Sequence, residues 1–425
     1  MDDLRNWFNR IETHKDGVIE SLLEEFPNIL QTIRTVDNHE DSGDDQDTNW
    51  ELCGNVLCKE VSDKFNSSIN SGDKVSLVVN NERFEGCLDP EGNGYGILKK
   101  INTKNGLYEF LVEGKFVKGH LDGKIKERKS CTFVSDCFYS NGIRHGPYRK
   151  LDLSKKLLEI GFYVEGLRFG PFCAKYPGGC YVIGHKTEES NLESCAFIYP
   201  NLEDAIYGKF ELKQNDKTSH VKVIEGHYVK IVDASWDTKF PIPVVKITHS
   251  ELLTYEPSTD SIICKNTSLS EPYEENSVVV ARSKESNAGE GLYSKRSIEK
   301  GKVVSFYNGV RYLKGRSERG KSYKSSDYRV SLDKFTDLDI PLKYCMIENY
   351  RATLGHKACH SFDESKVNAK FENFHHPRFG QIIALVTTCD ISTEDEILIN
   401  YNYKSLKKAP NWYKTLRKSD ILKSN

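Results

Sequence analysis

The chain of 425 residues has no apolar run near the ~18 residues that a membrane-spanning helix needs. Its apolar runs, such as Val278–Ala281, are strand-sized. The opening MDDLRNWFNR lacks the basic start and apolar stretch of a secretory leader, which predicts a cytosolic or nuclear protein. Doubled CxxC spacing is also missing. The 12 cysteines are scattered, the closest being Cys53/Cys58 and Cys131/Cys137. Free, mostly buried thiols are therefore expected, with no zinc or disulfide framework. Nor is there an excess of one charge: 60 basic against 62 acidic side chains leave a net −2. The imbalance is local, with 13 acidic and 4 basic residues over 1–50 and 7 basic and 1 acidic over 404–425. Short runs of this kind are usually solvated faces, so nothing here requires direct nucleic-acid binding.

The length allows two or three domains. Leu4, Phe8, Ile11, Val18, Leu22, Phe26 and Leu30 fall at helical spacing and predict a helical segment over 1–36, with Pro27 disturbing its last turn. Residues 37–73 open with DNHEDSGDDQDTN and read as an acidic linker. From 74 to 249 the texture is short aromatic and β-branched strands punctuated by glycine. The pair Gly92/Gly96 recurs as Gly119/Gly123, Gly142/Gly146 and Gly166/Gly170, at offsets of 27, 23 and 24 residues. Glycine supplies the positive φ that tight hairpins need, and KFVKGHLDG, FYSNGIRHG and FYVEGLRFG resemble MORN repeats. This region holds no converging acid, base and nucleophile. Residues 250–276 read as a connector rich in Ser, Thr and Pro, 277–403 as a second strand-rich domain, and 404–425 as a helix with Trp412 and Leu416 at i,i+4.

Four segments of the second domain belong together: AGEGLYSK (288–295), SFYNG (305–309), GHKACHSF (355–362) and DEILINYNY (395–403). In this order and spacing they resemble the SET domain. With EPYE, HPRFG and APNWY, the likeness is closest to the SET domain-containing protein 7 family, which also carries MORN repeats. It covers roughly Lys74 to Leu416. The resemblance implies a mainly β chain: an antiparallel MORN-repeat sheet, then a β-clip-like SET domain with a threaded C-terminal segment, closed by a C-terminal helix. It also implies transfer of a methyl group from S-adenosyl-L-methionine to a lysine of a histone tail or another protein. A monomer of the nucleus and chromosome, or of the cytoplasm as well, is expected.

Those residue types suit that chemistry. A free lysine has a pKa of ~10.4, so on the order of one in a thousand is neutral at pH 7. A neighbouring sulfonium and a dry site both lower that pKa, so orientation matters more than a strong base. Carried over from the family, the cofactor contacts are Ala288, Gly289, Glu290, His356, Cys359, His360, Trp412 and Leu416. Tyr401 orients the amine, with Tyr307 and His360 as its catalytic companions. Tyr307, Tyr323, Phe371, Ile383, Tyr401 and Tyr403 line the substrate channel. His356 and His360 stand at i,i+4 without a third ligand nearby, so no metal is expected.

Departures from the family cluster in the site. Cys359 replaces an asparagine, Leu416 a glutamate, Phe371 a channel tyrosine and Ile383 a lysine. Segment 316–330 diverges throughout. The competing reading is therefore an interaction scaffold with a degenerate, non-catalytic SET domain.

Overall fold

The computed structural model describes residues 74–79, 82–89, 91–101, 108–129, 133–153, 157–186, 191–215, 218–236, 243–247, 252–257, 262–285, 288–314, 327–403 and 413–415. The helix expected over 1–36, the acidic linker, Tyr323, Trp412, Leu416 and most of the C-terminal helix lie outside them. The chain is mainly β and divides into two compact units. One holds the chain up to Lys175 with Val182–Ala196 and Ile231–Val245; the other holds Tyr176–Tyr181, Phe197–Lys230 and Lys246 onward.

The first unit is an antiparallel meander. Its strands are β1 (Lys74–Val79), β2 (Glu82–Leu88), β3 (Gly94–Ile101), β4 (Tyr108–Val117), β5 (His120–Lys129), β6 (Phe133–Ser140), β7 (Ile143–Asp152), β8 (Leu157–Val164), β9 (Leu167–Arg168) and β10 (Gly170–Tyr176). Each from β1 to β8 pairs with the next, and both β9 and β10 pair with β8. The glycine pattern marks two-residue turns. Lys118-Gly119, Asn141-Gly142 and Glu165-Gly166 all have positive φ, at 49/80°, 51/83° and 47/84°. Two successive positive φ values give the primed turn whose twist matches that of the strands. Consecutive turns are tied together: Gly119 N donates to Gly92 O, Gly142 N to Leu121 O and Gly166 N to Arg144 O, each at 2.9 Å. The offsets of 23–27 residues are thus the spacing of one hairpin on the next. Phe84, Phe116, Ile125, Tyr139, Tyr148 and Tyr163 fill one buried cluster. Buried Glu127 accepts from Ser135 Oγ and Arg144 Nε, both at 2.9 Å, and from Tyr139.

Strands β11 (Cys180–Lys186) and β12 (Asn191–Ile198) follow, then a hairpin of β13 (Asp204–Asn215) and β14 (Thr218–Trp236), β15 (Pro243–Ile247) and β16 (Leu253–Thr254). In the second unit a six-residue helix, α1 (Pro272–Ser277), leads into a hairpin of β17 (Val278–Arg282) and β18 (Glu290–Ser294). Next come β19 (Val303–Tyr307), β20 (Val310–Leu313), β21 (Val330–Ser331), β22 (Thr336–Asp339), β23 (Cys359–His360), β24 (Ala369–His376), β25 (Gly380–Thr387) and β26 (Leu398–Ile399). A five-stranded sheet has the order β19-β25-β24-β26-β23, and a three-stranded sheet the order β20-β22-β21. All five residues of β19 are buried, as are all but Gln381 in β25. Covered on both faces, these strands read as continuous apolar runs rather than alternating ones.

The stretch read as a connector supplies three buried glutamates, Glu256, Glu271 and Glu274. Arg378 of HPRFG is fully buried: Nε meets Glu256 at 2.7 Å, while Nη1 donates to Tyr228 Oη and Leu269 O, both at 3.1 Å. Glu271 accepts from Tyr199 and Tyr228. Charges this dry are tolerable only when fully paired.

Candidate active site

The hairpin β17–β18 carries the glycine-rich turn. Ser283 N donates to Gly289 O at 2.8 Å, and Gly289 has φ +78°. A Cβ built there meets nothing within 4 Å, so the turn presents bare backbone to open space. Glu396, buried at the foot of the turn, accepts from Lys284 N at 2.9 Å, from Tyr293 Oη at 3.1 Å and from Ser283. Its carboxylate thereby fixes the shape of the turn without occupying the open side.

GHKACHSF lies directly against this turn. Lys357 Nζ, with its side chain 3% exposed, meets Glu290 Oε2 at 2.5 Å and also donates to Cys345 O. The Cys359 thiol donates to Glu290 O at 3.2 Å. Burial pushes that thiol above its ordinary range, so it stays protonated and is a poor nucleophile. His356 is buried with three tyrosine rings around it, Tyr307, Tyr328 and Tyr350, at 5.9–6.3 Å between centroids. Burial, then the Lys357 cation, lowers its pKa to about 3 and keeps it neutral.

The tyrosines meet around Phe371. Its ring stands edge-on to Tyr307 at 5.9 Å and parallel to Tyr401 at 6.4 Å. Tyr401 Oη donates to Ala358 O at 2.9 Å, and Tyr307 Oη donates to the carbonyl of Tyr328. Burial raises the pKa of both phenols, so each is a neutral hydroxyl at physiological pH. Tyr403 packs at 6.2 Å from Tyr401, and burial pushes its phenol up to about 12. The His360 ring lies tilted 5.2 Å from Tyr401 and 5.0 Å from Tyr413, and Tyr401 N donates to its Nδ1 at 3.2 Å.

Of the residues singled out from sequence, Glu290 is joined to Lys357 and Cys359 of the 355–360 segment, Ala288 and Gly289 precede it in the same turn, and Tyr307, Phe371, Tyr401, Tyr403 and His360 form one aromatic group. Ile383 does not project toward solvent; it is 2% exposed in β25, cross-strand from Tyr307 and Asn373. In DEILINYNY the named strand covers Leu398–Ile399, with a single bridge from Glu396 to Tyr293, and Ile397, Leu398 and Ile399 are all buried. The residues leading to Tyr401 therefore show no in-and-out alternation. Tyr401 is held instead by its hydroxyl and its backbone N–H. Sequence reasoning passed over Tyr413, although it adjoins Trp412, and Lys357, although it lies inside GHKACH. The carbonyls of Ala358 and Tyr328 have no side-chain signal at all. Among the described residues no three His, Cys, Asp or Glu side chains gather as metal ligands, and no helix is long and apolar enough to cross a membrane.

A family model for the SET domain matches residues 289–402. Histone-lysine N-methyltransferase SETD7 of Halocynthia roretzi is 32% identical over 279 residues, 64% of this chain and 70% of that protein. Two solved structures are more distantly similar. The ATXR5 SET domain in complex with histone H3 is 17% identical over 31% of this chain and 60% of that one, with a TM-score of 0.24. KRYPTONITE in complex with DNA, an H3 peptide and SAH is 18% identical over 32% of this chain and 25% of that one, with a TM-score of 0.23. At such scores these two add no weight. The SET match spans the glycine turn, the 355–360 segment and Tyr401, and the Halocynthia roretzi protein is matched over 70% of its length: the chain belongs to the SETD7 family of SET-domain methyltransferases.

Proposed function

We propose that this chain methylates the ε-amine of a lysine exposed on another protein, a histone tail foremost, with S-adenosyl-L-methionine as donor. The observation that carries this reading is the hydrogen bonding of the two phenols. Tyr401 and Tyr307 each spend their hydroxyl proton on a backbone carbonyl, so their oxygens offer only lone pairs to a third group. Such oxygens accept the N–H bonds of an amine and turn its own lone pair outward, and they cannot block that lone pair by donating to it. Because burial keeps them neutral, neither holds a negative charge that would favour an ammonium. Phe371 and the neutral His356 keep the surroundings poor in charge, which favours the free amine, and water can take the released proton.

When bound, S-adenosyl-L-methionine supplies an electrophilic methyl on a sulfonium. The residues proposed to hold it are Ala288, Gly289, Glu290, His356, Cys359 and His360, with Trp412 and Leu416 from the C-terminal segment. The bare backbone at Gly289 fits a ligand that must approach closely. The meander of the first unit, with its tied primed turns, fits the MORN-repeat reading and supplies scaffold rather than chemistry. A monomer working in the nucleus on chromatin, without direct nucleic-acid binding, completes the proposal.

One observation favours the rival, a scaffold with a non-catalytic SET domain. The Cys359 thiol is already bonded to Glu290 O, so it gives a cofactor less than an asparagine amide could. Losing such partners costs about 0.5–1.5 kcal/mol each, which weakens binding without abolishing it. The two readings separate in one assay: transfer of labelled methyl from S-adenosyl-L-methionine to a lysine peptide library, with cofactor affinity measured by calorimetry. Micromolar binding with label on lysine is expected. Binding with no label on any peptide or extract protein would support the scaffold.

A further inference from the structure

The EPYE segment contributes no residue to the cofactor or channel set, yet both its glutamates are fully buried. Glu271 belongs to the ionic cluster around Arg378. Glu274, from α1, points elsewhere. Its carboxylate accepts from Phe306 N at 2.9 Å, from Leu354 N at 3.1 and 3.2 Å to its two oxygens, and from Ser305 Oγ. β19 is the outermost strand of the five-stranded sheet, so among the described residues its outer edge has no strand partner. That edge is closed by Glu274 together with the turn at 353–355. Asn308 N donates to Thr353 Oγ1 at 3.2 Å, and a Cβ on Gly355 would lie 2.5 Å from Phe306 O. Only glycine permits this approach.

What the carboxylate joins matters for the site. Phe306 immediately precedes Tyr307. Leu354 opens the turn that runs through His356 to Ala358, whose carbonyl holds the Tyr401 hydroxyl. We propose that Glu274 is a positioning residue for methyl transfer: by bridging the edge of β19 to the 353–358 turn, it sets the spacing between the Tyr307 and Tyr401 oxygens. The inference rests on the reading of those two phenols as the groups that orient the amine.

Every group bonded to Glu274 is a donor, so its grip tightens when the carboxyl ionises. Burial pushes that carboxyl up to about 8. The titratable groups that interact with it are Glu271, at the head of the same helix, and the Tyr350 phenol. Near pH 7 the group is largely a neutral acid, which an amide imitates closely, so Glu274→Gln is expected to fold. Above pH 8 the parent gains an ionised brace that the variant cannot.

The test compares kcat and KM of the parent and Glu274→Gln, on a lysine peptide with saturating S-adenosyl-L-methionine, at pH 7 and pH 9. Taking the ratio of the two proteins cancels the ionisation of the substrate lysine, which both share. The expected parent-to-variant ratio of kcat is about 3 at pH 7 and at least tenfold at pH 9, with peptide KM and cofactor Kd unchanged within twofold. A ratio that stays constant with pH, or a loss confined to KM or cofactor binding, overturns the positioning role. Should Glu274→Gln fail to fold, Ser305→Ala removes one donor and is expected to lower kcat about threefold above pH 8 at constant KM; an unchanged kcat overturns the proposal. An inactive parent defeats the functional reading itself, and the inference with it.

Discussion

Tyr401 and Phe371 show how one oxygen decides what a site can do. The Tyr401 hydroxyl is anchored on Ala358 O, whereas Phe371, between Tyr401 and Tyr307, brings no polar atom to the same group. A tyrosine there would add a hydroxyl able to hold water or the amine, restricting rotation of a lysine that already carries one methyl. Phe371→Tyr is therefore expected to raise the ratio of mono- to dimethyl-lysine severalfold, read by mass spectrometry of products. An unchanged ratio would mean that Phe371 does not face the amine. At this scale the aromatic residues were legible in sequence through family resemblance, because motif positions carry side-chain identity. The acceptors of their hydroxyl protons, Ala358 O and Tyr328 O, were not legible, since every residue has a carbonyl. Ile383, aligned with a substrate-facing lysine of the family, is buried in the sheet cross-strand from Tyr307.

Elements were legible where their turns have strict backbone demands. Lys118-Gly119, Asn141-Gly142 and Glu165-Gly166 form the hairpins that the glycine spacing predicts, because few residues tolerate the second turn position. Burial on both sides leaves Ile397, Leu398 and Ile399 of DEILINYNY without alternation, so no strand face can be read there. The polar composition of 250–276 likewise hid Glu256, Glu271 and Glu274, whose partners lie far away in sequence. The glycine-rich turn allows a direct test. Gly289→Val meets no protein atom at its Cβ, so its cost to stability is limited to the strain of a positive φ, about 1–3 kcal/mol. If the cofactor lies against that bare backbone, the valine should weaken its binding at least tenfold. Calorimetry showing unchanged affinity would remove the turn from the cofactor site.

For the molecule as a whole, chemistry and scaffold fall in separate stretches of chain. In the meander of the first unit buried Glu127 is bonded to half-buried Arg144 and to Tyr139, which ties these groups up in mutual hydrogen bonds. Every described residue of the proposed site lies in the second unit, within the stretch that resembles SET domains or just beyond it. The central claim is that this site transfers methyl groups, and Tyr401 is where that claim is most exposed. Its hydroxyl bond to Ala358 O implies that Tyr401→Phe costs about 0.5–1.5 kcal/mol of stability even in a pure scaffold. The deciding measurement is single-turnover methyl transfer to lysine by the parent and by Tyr401→Phe, alongside cofactor affinity and thermal midpoint. A ~100-fold slower transfer is expected for Tyr401→Phe, with cofactor affinity intact and only that modest loss of stability. Transfer by Tyr401→Phe at the parent rate, or a parent that binds cofactor and methylates no lysine, would contradict the central claim.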